Sequence, residues 1–219
     1  MKVAIVTGAS GNMGQAVVKK FISEGYYVVG TIVPHDTIPM DFPGDKFEKI
    51  VVDLMNEDDS HKFVSSIVEK HGRIDAAILT VGGFAMGKIA ETKTADIVNQ
   101  HKLNFETAYN VAQPVFVQML KQNSGRIFII GSKPGLSAKD GKGMVAYGLA
   151  KSLIIRLAEL MNGEAKGTNA FTGQHQDRTV SGAGRHKLTA LQVDEDQLGG
   201  DEHADAREFR VEELVEPLQ

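Results

Sequence analysis

Short apolar runs alternate along this chain with segments whose apolar residues recur every three or four positions. Residues 2–7 form the first run and end at glycine. Met13, Ala16, Val17 and Phe21 then carry helical spacing over 12–24, and Gly25 stands where a C-terminal cap belongs. Further apolar runs at 27–33, 50–52, 76–79 and 126–130 predict four more strands. Between them, Phe63, Ile67 and Val68 mark a helix capped by Asp58 or Asp59 and closed by Gly72. A long helix is expected over about 93–121, bent near Pro114, and another over 146–162. Continuous apolar strands alternating with helices specify an α/β fold: a doubly wound parallel sheet covered on both faces, in three layers. Ligands of such sheets bind at the carboxyl ends of the strands. Thr7-Gly8, Asp53, Thr80 to Gly83 and Ser132 all fall at those ends.

Composition narrows the classes. The 219 residues are enough for one domain with a sizeable core, and hydrophobic content of 42% with 24% charged residues is ordinary for a globular protein. A net charge of −4 gives no global reason to expect nucleic acid or an acidic membrane surface. No cysteine is present, which excludes disulfides and thiol catalysis and fits a reducing compartment. The opening apolar run is too short for a signal peptide and no stretch reaches transmembrane length, so a cytoplasmic location is expected.

The chemistry concentrates in two motifs. Thr7-Gly8-Ala9-Ser10-Gly11-Asn12-Met13-Gly14 joins the first strand to the first helix. Glycine there permits positive φ, lets a pyrophosphate approach the backbone, and allows close helix–sheet packing at Gly14. Asn12 replaces a further glycine common in this motif, and asparagine tolerates the left-handed region. The second motif is Tyr147-Gly148-Leu149-Ala150-Lys151. Positions i and i+4 share one helix face, so a phenol and an ammonium would occupy one site, where the cation lowers the phenol's pKa. After the second strand neither an acid at the expected place nor an arginine appears, and Asp36 comes a few residues late. The choice between NAD and NADP therefore stays open.

Together with Gly131-Ser132 after the fifth strand, these motifs resemble the short-chain dehydrogenase/reductase family over about residues 1–170. The resemblance implies a Rossmann-type NAD(P)-dependent oxidoreductase acting on a carbonyl/hydroxyl pair. Tyr147 would be the general acid/base, with Lys151 lowering its pKa and holding the nicotinamide ribose. Ser132 would polarise the carbonyl, Ser137 being a lesser substitute, and Asn104 would support a proton-relay water. Cofactor contacts would come from Gly8, Ser10, Gly11, Asn12, Met13 and Gly14, from Asp53 and Leu54, from Val81, Gly82 and Gly83, and from Tyr147 and Lys151. Thr80-Val81-Gly82-Gly83 and the stretch from Gly143 to Lys151 look most like the dihydropteridine reductase branch, so a pterin is one candidate substrate. A homodimer or homotetramer formed through the 93–121 and 146–162 helices is also implied.

Residues 171–219 break the pattern. They hold 11 acidic and 5 basic side chains, a net of −6, and Thr172-Gly173 stands where the family has Pro-Gly. This composition predicts a polar tail, partly disordered or loosely helical over Val211–Leu218. His175, His186 and His203 lack metal-ligand spacing, so no metal site is expected. The tail also sustains an alternative from another class: a catalytically weak nucleotide-binding or regulatory protein.

Overall fold

The computed structural model describes residues 1–42 and 44–168, and the backbone of Ala170–Gly173. The elements run β1 (Val3–Thr7), α1 (Asn12–Ser23), β2 (Tyr27–Ile32), β3 (Phe47–Val51), α2 (Glu57–His71), β4 (Ala76–Leu79) and α3 (Thr94–His101). A π-helical turn over Lys102–Glu106 leads into α4 (Thr107–Lys121). The chain continues through β5 (Gly125–Ile129), α5 (Lys133–Leu136), α6 (Val145–Glu164) and β6 (Ala170–Gly173). All strand pairs are parallel, in the order β3-β2-β1-β4-β5-β6. The order reverses between β1 and β4, which opens a crevice at their carboxyl ends.

Alternate residues of the central strands feed two cores, as the pleat requires. Val3, Ile5, Val29, Ala77, Leu79 and Ile127 face α2, α4 and α6 through Phe63, Ile67, Val111, Val115, Met119 and Ile154. Ala4, Val6, Val28, Ile78 and Phe128 face α1 through Val17, Val18 and Phe21. The expected three layers are present.

Four local expectations are corrected. The third strand begins at Phe47, paired with Val28, rather than at Ile50. It is an edge strand carrying Glu48 and Lys49, so its apolar signal is interrupted. The α2 cap is Asn56, whose side chain accepts the Asp59 N–H at 3.2 Å, so Asp58 and Asp59 belong to the first turn. The break in the long helix lies at Lys102–Glu106, and Pro114 is accommodated inside α4. Finally, β6 carries the ordered sheet past residue 170, with Gly125↔Ala170 through Phe128↔Gly173 in register. The expectations for the rest of the tail, including Val211–Leu218 and the three histidines, lie outside the described residues. No described helix is long and apolar enough to cross a membrane, and the described residues contain no cluster of metal-ligating side chains.

Candidate active site

The glycine turn is built from the ends of three strands. Gly8 takes φ +62, a left-handed conformation that suits glycine, and Ala9 N–H donates to Thr31 O at 2.9 Å. The Thr7 hydroxyl oxygen accepts the Thr80 N–H at 3.0 Å, while Thr80 Oγ1 donates to Thr7 O at 2.6 Å. A Cβ at Gly14 would collide with the Gly8 carbonyl oxygen and stand 2.9 Å from Ala9 Cα, so this glycine lets α1 sit against the turn. Gly11 differs: its φ is −67, and an added Cβ would meet only Gly8 O, at 3.4 Å. The protein's own packing does not demand glycine at this position. Asn12 is the first residue of α1 and is not left-handed, so the tolerance expected of it is not used.

The start of α1 has no side-chain cap and no acidic residue in its first turn. By contrast, α2 has its Asn56 cap and Glu57, Asp58 and Asp59. The first amides of α1 thus present a positive, uncapped end beside the glycine turn, which suits a phosphate. Met13 is half-buried against the α1 core, and Ser10 is nearly buried. The Ser10 hydroxyl donates a short hydrogen bond to Asp36 Oδ2, and this bond, followed by one from the Ile38 amide, holds the Asp36 carboxyl below its ordinary value. Asp36, set aside in the sequence as a late loop residue, therefore reaches the glycine turn. His35, at φ 67, makes the turn that returns it.

Asp53 is exposed and its carboxylate accepts the Met55 N–H at 3.0 Å. Leu54 is a core residue at the end of this segment, with its carbonyl accepting from Asn110 Nδ2 at 3.0 Å. Its side chain is buried in the core. Val81 packs partly on the core and approaches Gly8. Gly82 and Gly83 bring the following loop close to the π-helical turn and α6: a Cβ at Gly82 would lie 2.7 Å from Asn104 Oδ1 and 3.4 Å from Lys151 Nζ.

Asn104, 1% exposed, sits in the π-helical turn. Its Oδ1 accepts the Gly83 N–H at 3.2 Å, and its Nδ2 donates to Gly83 O and to Gln100 Oε1, both at 2.9 Å. The amide thus clamps the β4 loop from both sides. Ser132 is buried at the start of α5. Ser137 instead serves its own turn, accepting the Lys139 N–H at 3.2 Å. After Ser132, α5 docks on α6. A Cβ at Gly135 would stand 2.6 Å from the Lys151 carbonyl carbon.

Tyr147 and Lys151 lie on the inward face of α6, 7% and 5% exposed. Lys151 Nζ donates to Ile130 O at 2.9 Å and stands 5.7 Å from the centroid of the Tyr147 ring. Phe84 meets that ring edge-on at 5.2 Å. Phe84 and Gln100 were not singled out in the sequence, where one follows the Thr80 to Gly83 segment and the other lies within a helix with no motif of its own.

Comparison with known proteins identifies the family. The profile described as "short chain dehydrogenase" matches residues 2–171. An acetoacetyl-CoA reductase from an Acinetobacter species is 27% identical over 178 residues, covering 77% of this chain and 70% of the relative. A solved short-chain dehydrogenase/reductase from Burkholderia xenovorans superposes with a TM-score of 0.69 at 28% identity, over 77% of this chain and 70% of the other. The structure of ElxO with NADP bound gives 0.67 at 25% identity, over 74% and 67%. The chain belongs to the short chain dehydrogenase family and is an oxidoreductase of that kind, using NAD or NADP.

Proposed function

We propose that this protein moves hydride between a nicotinamide dinucleotide and a carbonyl/hydroxyl pair, with Tyr147 as proton donor and acceptor. The observation that carries this reading is the burial of Asn104, Ser132, Tyr147 and Lys151 around the carboxyl ends of β4 and β5. Four polar groups from distant parts of the chain rarely share a buried rim without a ligand to serve. The uncapped start of α1 and the unforced glycine at Gly11 fit the dinucleotide's pyrophosphate. The dinucleotide, when bound, supplies or accepts the hydride.

The chain's residues do the rest. Tyr147 Oη gives a proton to the substrate oxygen during reduction and takes it back during oxidation. Lys151, fixed by Ile130 O, places its ammonium 5.7 Å from the centroid of that ring, where it can hold the nicotinamide ribose and the phenol in one site. The Ser132 hydroxyl polarises the carbonyl, and Asn104 holds the Gly82-Gly83 loop against both Lys151 and the site. The ionised Asp36 carboxylate beside the glycine turn disfavours an additional phosphate on the adenosine ribose, so NAD is the preferred cofactor. The Thr80 to Gly83 segment and the sequence around Tyr147 support testing a quinonoid pterin beside simple ketones and aldehydes. Self-association through α4 and α6 is part of the same reading. The alternative of a nucleotide-binding protein without turnover gains no support from relatives named as reductases.

Tyr147→Phe is the test. Turnover should fall at least a hundredfold, the lower end for loss of a positioned acid/base. Dinucleotide affinity, measured by calorimetry with NADH and NADPH, should stay within about threefold. Retained turnover would put the chemistry at another residue.

A further inference from the structure

We propose that Phe84 sets substrate choice: the exposed part of its ring receives a flat apolar group on the substrate's carbonyl carbon, making aryl ketones and their secondary alcohols the preferred class. This rests on the carbonyl/hydroxyl reading above and deepens it. Tyr147 is 7% exposed, whereas Phe84, edge-on to it at 5.2 Å, is 49% exposed. A molecule approaching the phenol therefore meets the Phe84 ring beside it. Aromatic rings favour such offset or edge-to-face neighbours, and a second flat ring would pack against the exposed part of Phe84.

The backbone that carries the ring is held on both sides. On one side, Gly83 is held through both its N–H and its C=O by Asn104. On the other, Gly87 N–H donates to Gly143 O at 2.7 Å, and Val145 N–H donates to Gly87 O at 3.0 Å. Gly87 pairs with Met144 in an isolated parallel bridge. Phe84, Ala85 and Met86 are thus a strap pinned at both ends, directly before the helix that carries Tyr147 and Lys151. Pinning lowers the ordering cost of using the ring as a contact surface.

The strap's chemistry selects the partner. From Gly82 to Gly87 it carries no charge and no polar side chain, and Met86 is 71% exposed beside the half-exposed Phe84. A large aromatic and a methionine held in water at the mouth of a polar site suit an apolar substituent rather than a charged or hydroxylated one. In the reducing direction, the carbonyl carbon gains a hydride with two electrons from the reduced dinucleotide as the C=O π bond opens. The oxygen gains a proton from Tyr147 Oη, which regains one from solvent. The ketone leaves as a secondary alcohol and the dinucleotide leaves oxidised.

The experiment compares acetophenone with 2-octanone, methyl ketones of equal carbon count, in wild type, Phe84→Ala, Phe84→Leu and Phe84→Tyr. The ratio of kcat/KM for the aryl over the alkyl ketone should favour acetophenone by about tenfold in wild type, the scale of one pocket contact. It should fall about tenfold in both Phe84→Ala and Phe84→Leu, mainly through KM, and recover in Phe84→Tyr. A ratio unchanged in Phe84→Leu would overturn the proposal, because a structural role depresses both substrates together. A parallel loss of dinucleotide affinity in Phe84→Leu would also overturn it, placing the ring against the cofactor. Where turnover of both ketones is too slow to measure, saturation-transfer NMR of 1-phenylethanol with oxidised dinucleotide decides. Binding that weakens in Phe84→Leu supports the proposal, and no binding in wild type defeats it. Calorimetric silence with both dinucleotides would instead defeat the underlying reading, and this one with it.

Discussion

The hydrogen bond between Ser10 and Asp36 joins the glycine turn to the segment after β2, and in the proposed reading it would link the phosphate and ribose ends of the dinucleotide site. Its sign with pH follows from the depressed carboxyl. The ionised form is the bonded one, so the contact is complete above the ordinary carboxylate range and is lost as pH falls through the lowered value. Across neutral pH the carboxylate stays charged and opposes a nearby phosphate. Asp36→Asn should therefore lower the NAD-over-NADP affinity ratio about tenfold, the effect of removing one unfavourable charge pair, measured as two calorimetric dissociation constants. An unchanged ratio would show that Asp36 only braces Ser10. This contact was not legible in the sequence because the bonded residues are far apart along the chain and meet only through the turn at His35. Tyr147 and Lys151 were legible because helical spacing alone puts them on one face.

At the level of elements, the strand-to-helix junction from β1 to α1 assigns different duties to glycines that look equivalent in the motif. Gly14 is required by packing, since the backbone of Gly8 and Ala9 occupies the space of any side chain. Gly11 is not. Gly14→Ala should destabilise the fold by about 2 kcal/mol or more, in the range of forced overpacking, with a lower urea midpoint. Gly11→Ala should change stability by less than about 1 kcal/mol while weakening dinucleotide binding at least tenfold, because a Cβ there would meet only Gly8 O in the protein but would stand in the way of a bound pyrophosphate. Equal stability losses in the two variants would remove the distinction. Spacing revealed the turn but could not separate these roles, which depend on what lies opposite each Cα. The same limit applies to the π-helical turn. Apolar periodicity continued through 93–121, and the irregularity arose at Asn104, whose side chain bonds to Gln100 and to the β4 loop, rather than at proline.

Taken whole, the molecule uses α6 on two sides. Its inward face carries Tyr147, Ala150, Lys151 and Ile154, and its outward face leaves Leu149, Leu153 and Leu160 at 50%, 41% and 52% exposure. On α4, Tyr109 and Val117 are likewise exposed, and Phe105 stacks on Tyr109 at 5.9 Å. Buried strands and inward helix faces were readable from periodicity, because burial constrains every second or fourth residue. Which surface stays uncovered was not, since the same leucines would serve an intramolecular core equally well. Leucines at i, i+4 and i+11 form one stripe, and a stripe of this kind on the helix that carries Tyr147 and Lys151 suits a second copy of the chain. Leu153→Glu places a charge in the centre of that stripe, where association would bury it without a partner. Sedimentation velocity should show wild type as a dimer or tetramer, and Leu153→Glu shifted to monomer at micromolar concentration. Because Lys151 and Leu153 share one turn, loss of the neighbouring copy should also loosen α6 and lower the thermal midpoint by several degrees at fixed concentration, as mass action requires of a coupled assembly. A wild-type protein that sediments as a monomer at all concentrations would remove self-association from the functional reading and leave the stripe to another partner.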